Sequence, residues 1–401
     1  MISQALALWG IFQPLSIAGA NIAISLILAV ILKVRLLDGR RFSLKGLALE
    51  KPLWIYIFAG IVSSAVMSGF KNGLGPLGRN FQLLADFYIF SIAFEFSNGF
   101  SPFYFWTLGF SLAAFLGLME FGFWRFFPMS AASFDEKISS SHFWSAFYAT
   151  NRAHGTIHPV TFGELMVMAG LGVLAYRMTN RLKSEKKKPW TISVGILIIA
   201  ALALSGTRGA WMGFAIGLLV LAGINFREAL VESFAALGVI FSQFFLSPRF
   251  SRATGALSAK EGSLKIHLAL WKAAWRMFLD HPLLGVGPGR FGAFFGNYHS
   301  LPFGGQPTWG NAHNLYLQTL AERGIIGFFA LLFLLGTMVF RAFKIYRRDR
   351  SFLSLWFLSW IISLLFMNLT ESAFGVAMIW MPTIALYAWM ESEARGQGEK
   401  K

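Results

Sequence analysis

One histidine followed by an asparagine, His313-Asn314, opens the stretch Thr308–Phe328 before it turns fully apolar. His313, Leu317 and Leu320 recur at helical spacing, which predicts a helix from about Asn311 to Arg323. Gly324 then lets the chain change direction before the apolar run Ile325–Val339. Imidazole titrates near neutral pH, and backbone N–H groups at a helix start favour negative charge. A histidine just inside such a start suits a proton acceptor working beside a phosphate. The matching cations are arginines where the sequence should be poor in them. Arg208 lies in Ser205–Trp211 between two apolar runs with almost no loop, and Arg152 leads into a third run through Arg152–Pro159. Arg249, Arg252, Lys265 and Arg290, with His267, fall in the long segment between them and His313. An arginine at a membrane boundary is costly unless paired or hydrated, and guanidinium binds phosphate oxygens two at a time. The ligand that fits such a set is a lipid-linked diphosphate.

The rest of the chain must hold those groups at a bilayer. It is 56% hydrophobic and 13% charged, with 43 Phe and 14 Trp, more than a water-soluble core would take. Apolar runs long enough to cross a bilayer occur at 15–33, 53–69, 79–97, 102–121, 158–176, 190–205, 208–224, 229–246, 324–342, 352–368 and 373–390. Ile2–Phe12 is too short to cross unaided and is a half-helix or one further element. The fold class is therefore all-α: a polytopic integral membrane protein of about 11–12 transmembrane helices with one large, partly helical outer loop. The net charge of +16 does not imply nucleic acid, because the charges collect in loops. Lys33–Lys51, Arg177–Lys188 and Arg341–Arg350 all fall on one side when the spans are counted, which makes that side the cytoplasm. With 0 cysteines, thiol nucleophiles, thiolate metal sites and disulfides are excluded. The first positive charge, Lys33, follows the first apolar run, so no cleavable leader is expected.

This divides the chain into N-terminal helices (1–246), an outer loop carrying amphipathic helices and the histidine motif (247–323), and C-terminal helices with a short cytoplasmic tail (324–401). Within the loop, Ser263–Leu279 spaces Ile266, Leu270, Ala273, Ala274 and Met277 as one apolar face, with Lys265, Lys272 and Arg276 as its cations. Such a helix lies on the lipid surface or closes over a cavity. Asp280-His281-Pro282 ends it, and Gly285, Gly287 and Gly289 make the next turn permissive.

These residues together resemble the O-antigen ligase and O-antigen polymerase superfamily of bacterial envelope glycosyltransferases. The likeness is most specific at His313-Asn314 with Leu317, Ala321-Glu322 and Gly324, which looks like the family's HN-x-x-L and A-E-x-G signature. Asp280–Gly287 resembles its glycine-bearing turn, Ser205–Trp211 its arginine-bearing span boundary, and Arg152–Gly163 the R-x-x-G entry of the ligases. One departure stands out. The family carries an arginine just before an L-x-x-W pattern, where this sequence has His267, with Lys265 two residues earlier. The phosphate contact there falls to Lys265 or His267, or to Arg249 or Arg252 upstream.

The resemblance implies transfer of a glycan from undecaprenyl diphosphate to a sugar hydroxyl of lipid A–core at the periplasmic face of the inner membrane. His313 is the expected base, and Asn314 orients it or the acceptor. Arg208 with Arg152 or Arg290 neutralises the leaving diphosphate without metal or cofactor. Glu322 either borders the site or finishes a helix. The expected partners are the lipid-linked donor, the lipid A–core acceptor and membrane lipids. A polymerase of the same superfamily, which extends a second lipid-linked glycan, is the alternative. A secondary transporter would call for inverted repeats and buried ionisable pairs at mid-membrane, and no repeat is evident.

Overall fold

A computed structural model of the chain describes residues 1–39, 46–68, 70–97, 99–126, 152–182, 189–224, 238, 262–298 and 309–398. Among these every regular element is helical. The helices are α1 (Ile2–Phe12), α2 (Ile17–Leu36), α3 (Glu50–Ser63, continued by a π turn at Ser64–Ser68), α4 (Phe70–Phe96), α5 (Phe103–Phe126), α6 (Pro159–Leu182) and α7 (Trp190–Leu204). They continue with α8 (Arg208–Ile224), α9 (Gly262–Asp280), α10 (Phe291–Tyr298), α11 (Leu315–Asp349), α12 (Phe352–Met367) and α13 (Ala377–Gly398). The expected span at 229–246 lies outside the described residues, as do Arg249 and Arg252.

The protein is a multi-pass membrane protein. Ile17–Leu36, Phe103–Gly122, Pro159–Asn180 and Leu315–Asp349 are each long and apolar enough to cross a bilayer, and α7, α8 and α12 are shorter apolar helices beside them. Exposed Ile22, Leu26 and Leu32 on α2, Phe115 and Met119 on α5, and Phe329, Phe333 and Phe340 on α11 give these helices an outer face that water would not tolerate. α6 and α13 are buried along most of their length and pack on α12 and on α4 respectively. α1 is a separate short helix that packs on α2 and α5, and the chain reverses after it so that Ser16 caps α2 by accepting from Gly19 N (3.3 Å).

α11 is two helices joined at Gly324, whose φ of 61° and ψ of −163° are open only to glycine. The break frees backbone groups on both sides, and the turn after α9 takes them up. Val286 N donates to Ala321 O (2.8 Å) and Gly287 N to Glu322 O (2.9 Å), while Ile325 N donates to Pro282 O (2.8 Å). The approach leaves no room for side chains. A Cβ on Gly324 would meet Leu283 O at 2.3 Å, and one on Gly285 would meet the Glu322 carbonyl carbon at 2.3 Å. Ser63 Oγ donates to Leu284 O (2.6 Å) and Glu322 O (3.1 Å), tying the crossing to α3. The two motifs that stood apart in the sequence, Asp280–Gly287 and Ala321–Gly324, are thus one backbone junction.

Above that junction, α9 buries Leu270, Ala273, Ala274 and Met277 against Val286, Phe291, Phe295, Ala312 and Ala321. The apolar face read from its spacing packs inward over α10 and α11, and Lys265, Lys272 and Arg276 point away, exposed. α9 is therefore a lid on the start of α11.

Candidate active site

Helix α11 begins at Leu315, four residues later than its spacing suggests, because Asn314 stops it. The Asn314 side chain accepts from Leu317 N (2.9 Å) as the helix cap and donates to Leu369 O (2.8 Å). His313 therefore stands before the helix, in the left-handed region at φ 46°. That conformation costs a non-glycine residue roughly 1 kcal/mol, and neighbours hold it: Asn311 Oδ1 accepts from His313 N (2.9 Å) and Gln318 Oε1 from Ala312 N (2.6 Å). The expectation that free first-turn amides surround the histidine is corrected in two places. Leu315 N is taken by Asn368 O (2.9 Å) and Glu371 O (3.2 Å), and Leu317 N by Asn314.

Those bonds dock the segment between α12 and α13 beneath His313, and Glu371 is the result. Its Oε2 lies 3.2 Å from His313 Nδ1, with the two side chains 24% and 29% exposed, so the pair is neither buried dry nor free in solvent. The His267 ring, carried on the α9 lid, stacks obliquely with its centroid 5.4 Å from that of His313, and the Trp309 ring meets His313 edge-on at 5.9 Å. Burial holds the His267 imidazole below its usual value, and His313 and Arg208 act in the same direction against Glu371. Arg208 is thus within electrostatic reach of His267. It is the first residue of α8, exposed, on the turn whose Thr207 Oγ1 donates to Pro159 O (3.1 Å).

Arg152 is built into the same corner. Its Nε donates to Ser205 O (2.6 Å) and its Nη2 to Thr207 Oγ1 (2.7 Å), clamping the 152–158 segment to the α7–α8 turn. Glu120 on α5 anchors the other side of that segment, accepting from Gly155 N (2.8 Å) and approaching His154 Nε2 at 3.0 Å. His158, at the end of the segment, lies within electrostatic reach of Arg152, Glu371 and His313. Burial, with the Arg152 charge behind it, keeps its imidazole below the usual value.

His313, Asn314, His267, Arg208 and Arg152 are accordingly brought to one corner. Arg290 and Lys265 make no described contact there. The Arg290 guanidinium sits 5.6 Å from the Phe294 ring, with its Nε buried and unpartnered among the described residues, and Lys265 is exposed. Glu322 takes the structural of its two expected roles. Its carboxylate accepts from Gly289 N (2.8 Å), Phe291 N (3.0 Å) and Gln318 Nε2 (2.7 Å), fixing the start of α10.

Nothing in the spacing of the sequence singles out Glu371. The polar interruption Asn368–Ser372 between two apolar runs was the available signal. Arg323 also went unremarked. It is buried, donates to Asn80 Oδ1 (3.2 Å) and lies 4.4 Å from the Tyr56 ring, bracing the kink against α3 and α4.

Membrane-crossing helices capped at one end by imidazoles, guanidiniums and a carboxylate define a multi-pass membrane protein with a polar site at a helix boundary. Residues 193–332 match the family model described as O-antigen ligase (Wzy_C), so this part of the chain is similar to that family. The match runs from α7 into α11 and takes in Arg208, His267, His313 and Asn314, whereas Arg152 and Glu371 lie outside it. The chain is also similar to an uncharacterized protein of Haemophilus influenzae, at 25% identity over 167 residues, which is 37% of this chain and 42% of that relative.

Proposed function

We propose that the protein is an O-antigen ligase-like glycosyltransferase that moves a glycan from undecaprenyl diphosphate to a sugar hydroxyl of lipid A–core. On this reading the site faces the periplasm and the protein sits in the inner membrane. Lys33 and Arg35 end α2 and Arg347 and Arg348 end α11, each at the far end of its helix from the His313 corner.

The observation that carries the reading is the 3.2 Å contact of His313 Nδ1 with Glu371. If Nδ1–H donates to that carboxylate, Nε2 keeps its lone pair for the acceptor hydroxyl. The hydroxyl oxygen bonds to the anomeric carbon as its proton passes to Nε2. The bond from that carbon to the diphosphate breaks, and the lipid diphosphate leaves with the electron pair. On this reading Arg208, whose guanidinium is exposed, takes up the growing charge, and Arg152 holds the turn that carries it. Attack opposite the leaving group inverts the anomeric centre. Asn314 acts as a positioning residue, since both ends of its amide are committed to backbone partners.

The test is transfer by the purified full-length chain from a lipid-linked glycan to candidate acceptors, followed by anomeric analysis of the product. Replacing His313 with Ala is expected to lower kcat by about 10²–10⁴-fold. A retained anomeric configuration, or full activity without the imidazole, sinks the reading. Chromosomal deletion separates ligase from polymerase: loss of a ligase leaves core with no added sugar, and loss of a polymerase leaves core bearing a single repeat unit.

A further inference from the structure

Beside His158 the helices leave a cavity of about 540 Å³, within the range of roughly 300–1,000 Å³ typical of ligand pockets. Three segments wall it: Leu15–Ala18 at the α1–α2 turn, Thr156–Thr161 at the start of α6, and Val376 with Met378 ahead of and within α13. The walls are bonded to one another. Gln13 Nε2 donates to Met378 O (2.8 Å), and the Thr156 hydroxyl donates to Leu15 O. Most of the lining is aliphatic. Ile17 and Val376 are exposed at its rim, and Ile17 begins the helix whose outer face is Ile22, Leu26 and Leu32. A hydrocarbon chain can therefore enter from the lipid side. At the other end, His158 is within electrostatic reach of Arg152, Glu371 and His313.

We infer that this crevice holds the first isoprene units of the lipid-linked donor, laying the chain along α2 while its diphosphate meets the Arg152–Arg208 corner. The inference rests on the donor reading above and adds the place of the lipid. Chemistry selects the occupant. In a prenyl diphosphate glycan only two phosphates separate the reacting carbon from hydrocarbon. In a glycolipid acceptor a whole oligosaccharide separates the receiving hydroxyl from any acyl chain. An aliphatic crevice that touches the imidazole cluster is in reach of the first chain and out of reach of the second. Because lipid tails are as apolar as the crevice walls, entry gains little from the hydrophobic effect, and the crevice contributes packing and alignment. Its effect on binding is correspondingly modest.

The experiment uses the purified full-length protein and a farnesyl diphosphate analogue with a diazirine on its first isoprene unit. Photolysis and peptide mapping should place the label in 15–18, 156–161 or 376–378, displaced by undecaprenyl diphosphate and not by phospholipid. In parallel, filling the crevice by Ala18→Trp should raise the donor KM by roughly 3–10-fold and leave the acceptor KM unchanged. Ile196→Trp, exposed on α7 and outside the crevice lining, should change neither. Label confined to other segments while the protein still transfers glycan overturns the crevice assignment alone, as does label displaced equally by phospholipid. An unchanged donor KM in Ala18→Trp overturns it too. Absence of both competed label and transfer overturns the donor reading and this inference with it.

Discussion

Replacing Glu371 with Gln removes one charge and little else. The glutamine keeps an oxygen able to accept from His313 Nδ1, so geometry survives while the electrostatic help to the forming imidazolium is lost. At the observed 3.2 Å, two unit charges interact by about 1 kcal/mol in water and about 5 kcal/mol at an effective dielectric of 20. Both side chains are about a quarter exposed, which favours the lower part of that range. It agrees with the roughly 1.5–3 kcal/mol assigned to hydrogen bonds with charged groups. Converted at 1.36 kcal/mol per tenfold, the expected loss in kcat is about 10–150-fold, with melting temperature and donor KM nearly unchanged. The assay is initial-rate transfer from lipid-linked glycan under saturating acceptor, run on Glu371→Gln, His313→Ala and the double variant. If Glu371 acts through His313, the double variant is no slower than His313→Ala, because a carboxylate with no imidazole to serve has nothing left to do. Wild-type kcat in Glu371→Gln, or losses that simply multiply in the double variant, would refute the dyad.

Arg152→Lys should raise the donor KM by about tenfold, since one ammonium cannot reproduce the forked bonds to Ser205 and Thr207 that set the Arg208 turn; donor titration measures it. Gly324→Ala should destabilise the fold by about 3 kcal/mol or more, combining a glycine-only backbone conformation with a clash against Leu283. Thermal unfolding in detergent reads that loss. His267 makes stability fall in acid. Its folded-state value is depressed, so below the ordinary 6.5 the unfolded chain binds more protons and the native state weakens as pH drops toward the folded value, with no contribution above 6.5. The melting temperature should therefore fall less between about pH 7.5 and 5.5 in His267→Gln than in the wild type. Part of the fall should remain, because His158 is depressed in the same direction.

The sequence by itself determined the helical membrane fold, most helix positions and the amphipathic lid, because each depends on composition and on spacing within one segment. Apolar runs and the Leu270–Ala274–Met277 stripe need no partner to be recognised. It also pointed to His313, Arg208 and Arg152, because charges at apolar boundaries stand out locally. Where α11 starts was misread: the hydrophobic repeat continues back through His313, but the Asn314 cap ends the helix after it. Only the tertiary structure decided that Glu371, 58 residues further along, lies under His313, and that His267 reaches it from the lid. The first pairing arises because Leu315 N donates to the Asn368 and Glu371 carbonyls and the Asn314 side chain to the Leu369 carbonyl across the helix start, long-range hydrogen bonds that carry no periodic trace. The same holds at Gly324 and Gly285. Each reads as a permissive residue on its own, and only their packing shows that two backbones cross there too closely for any side chain.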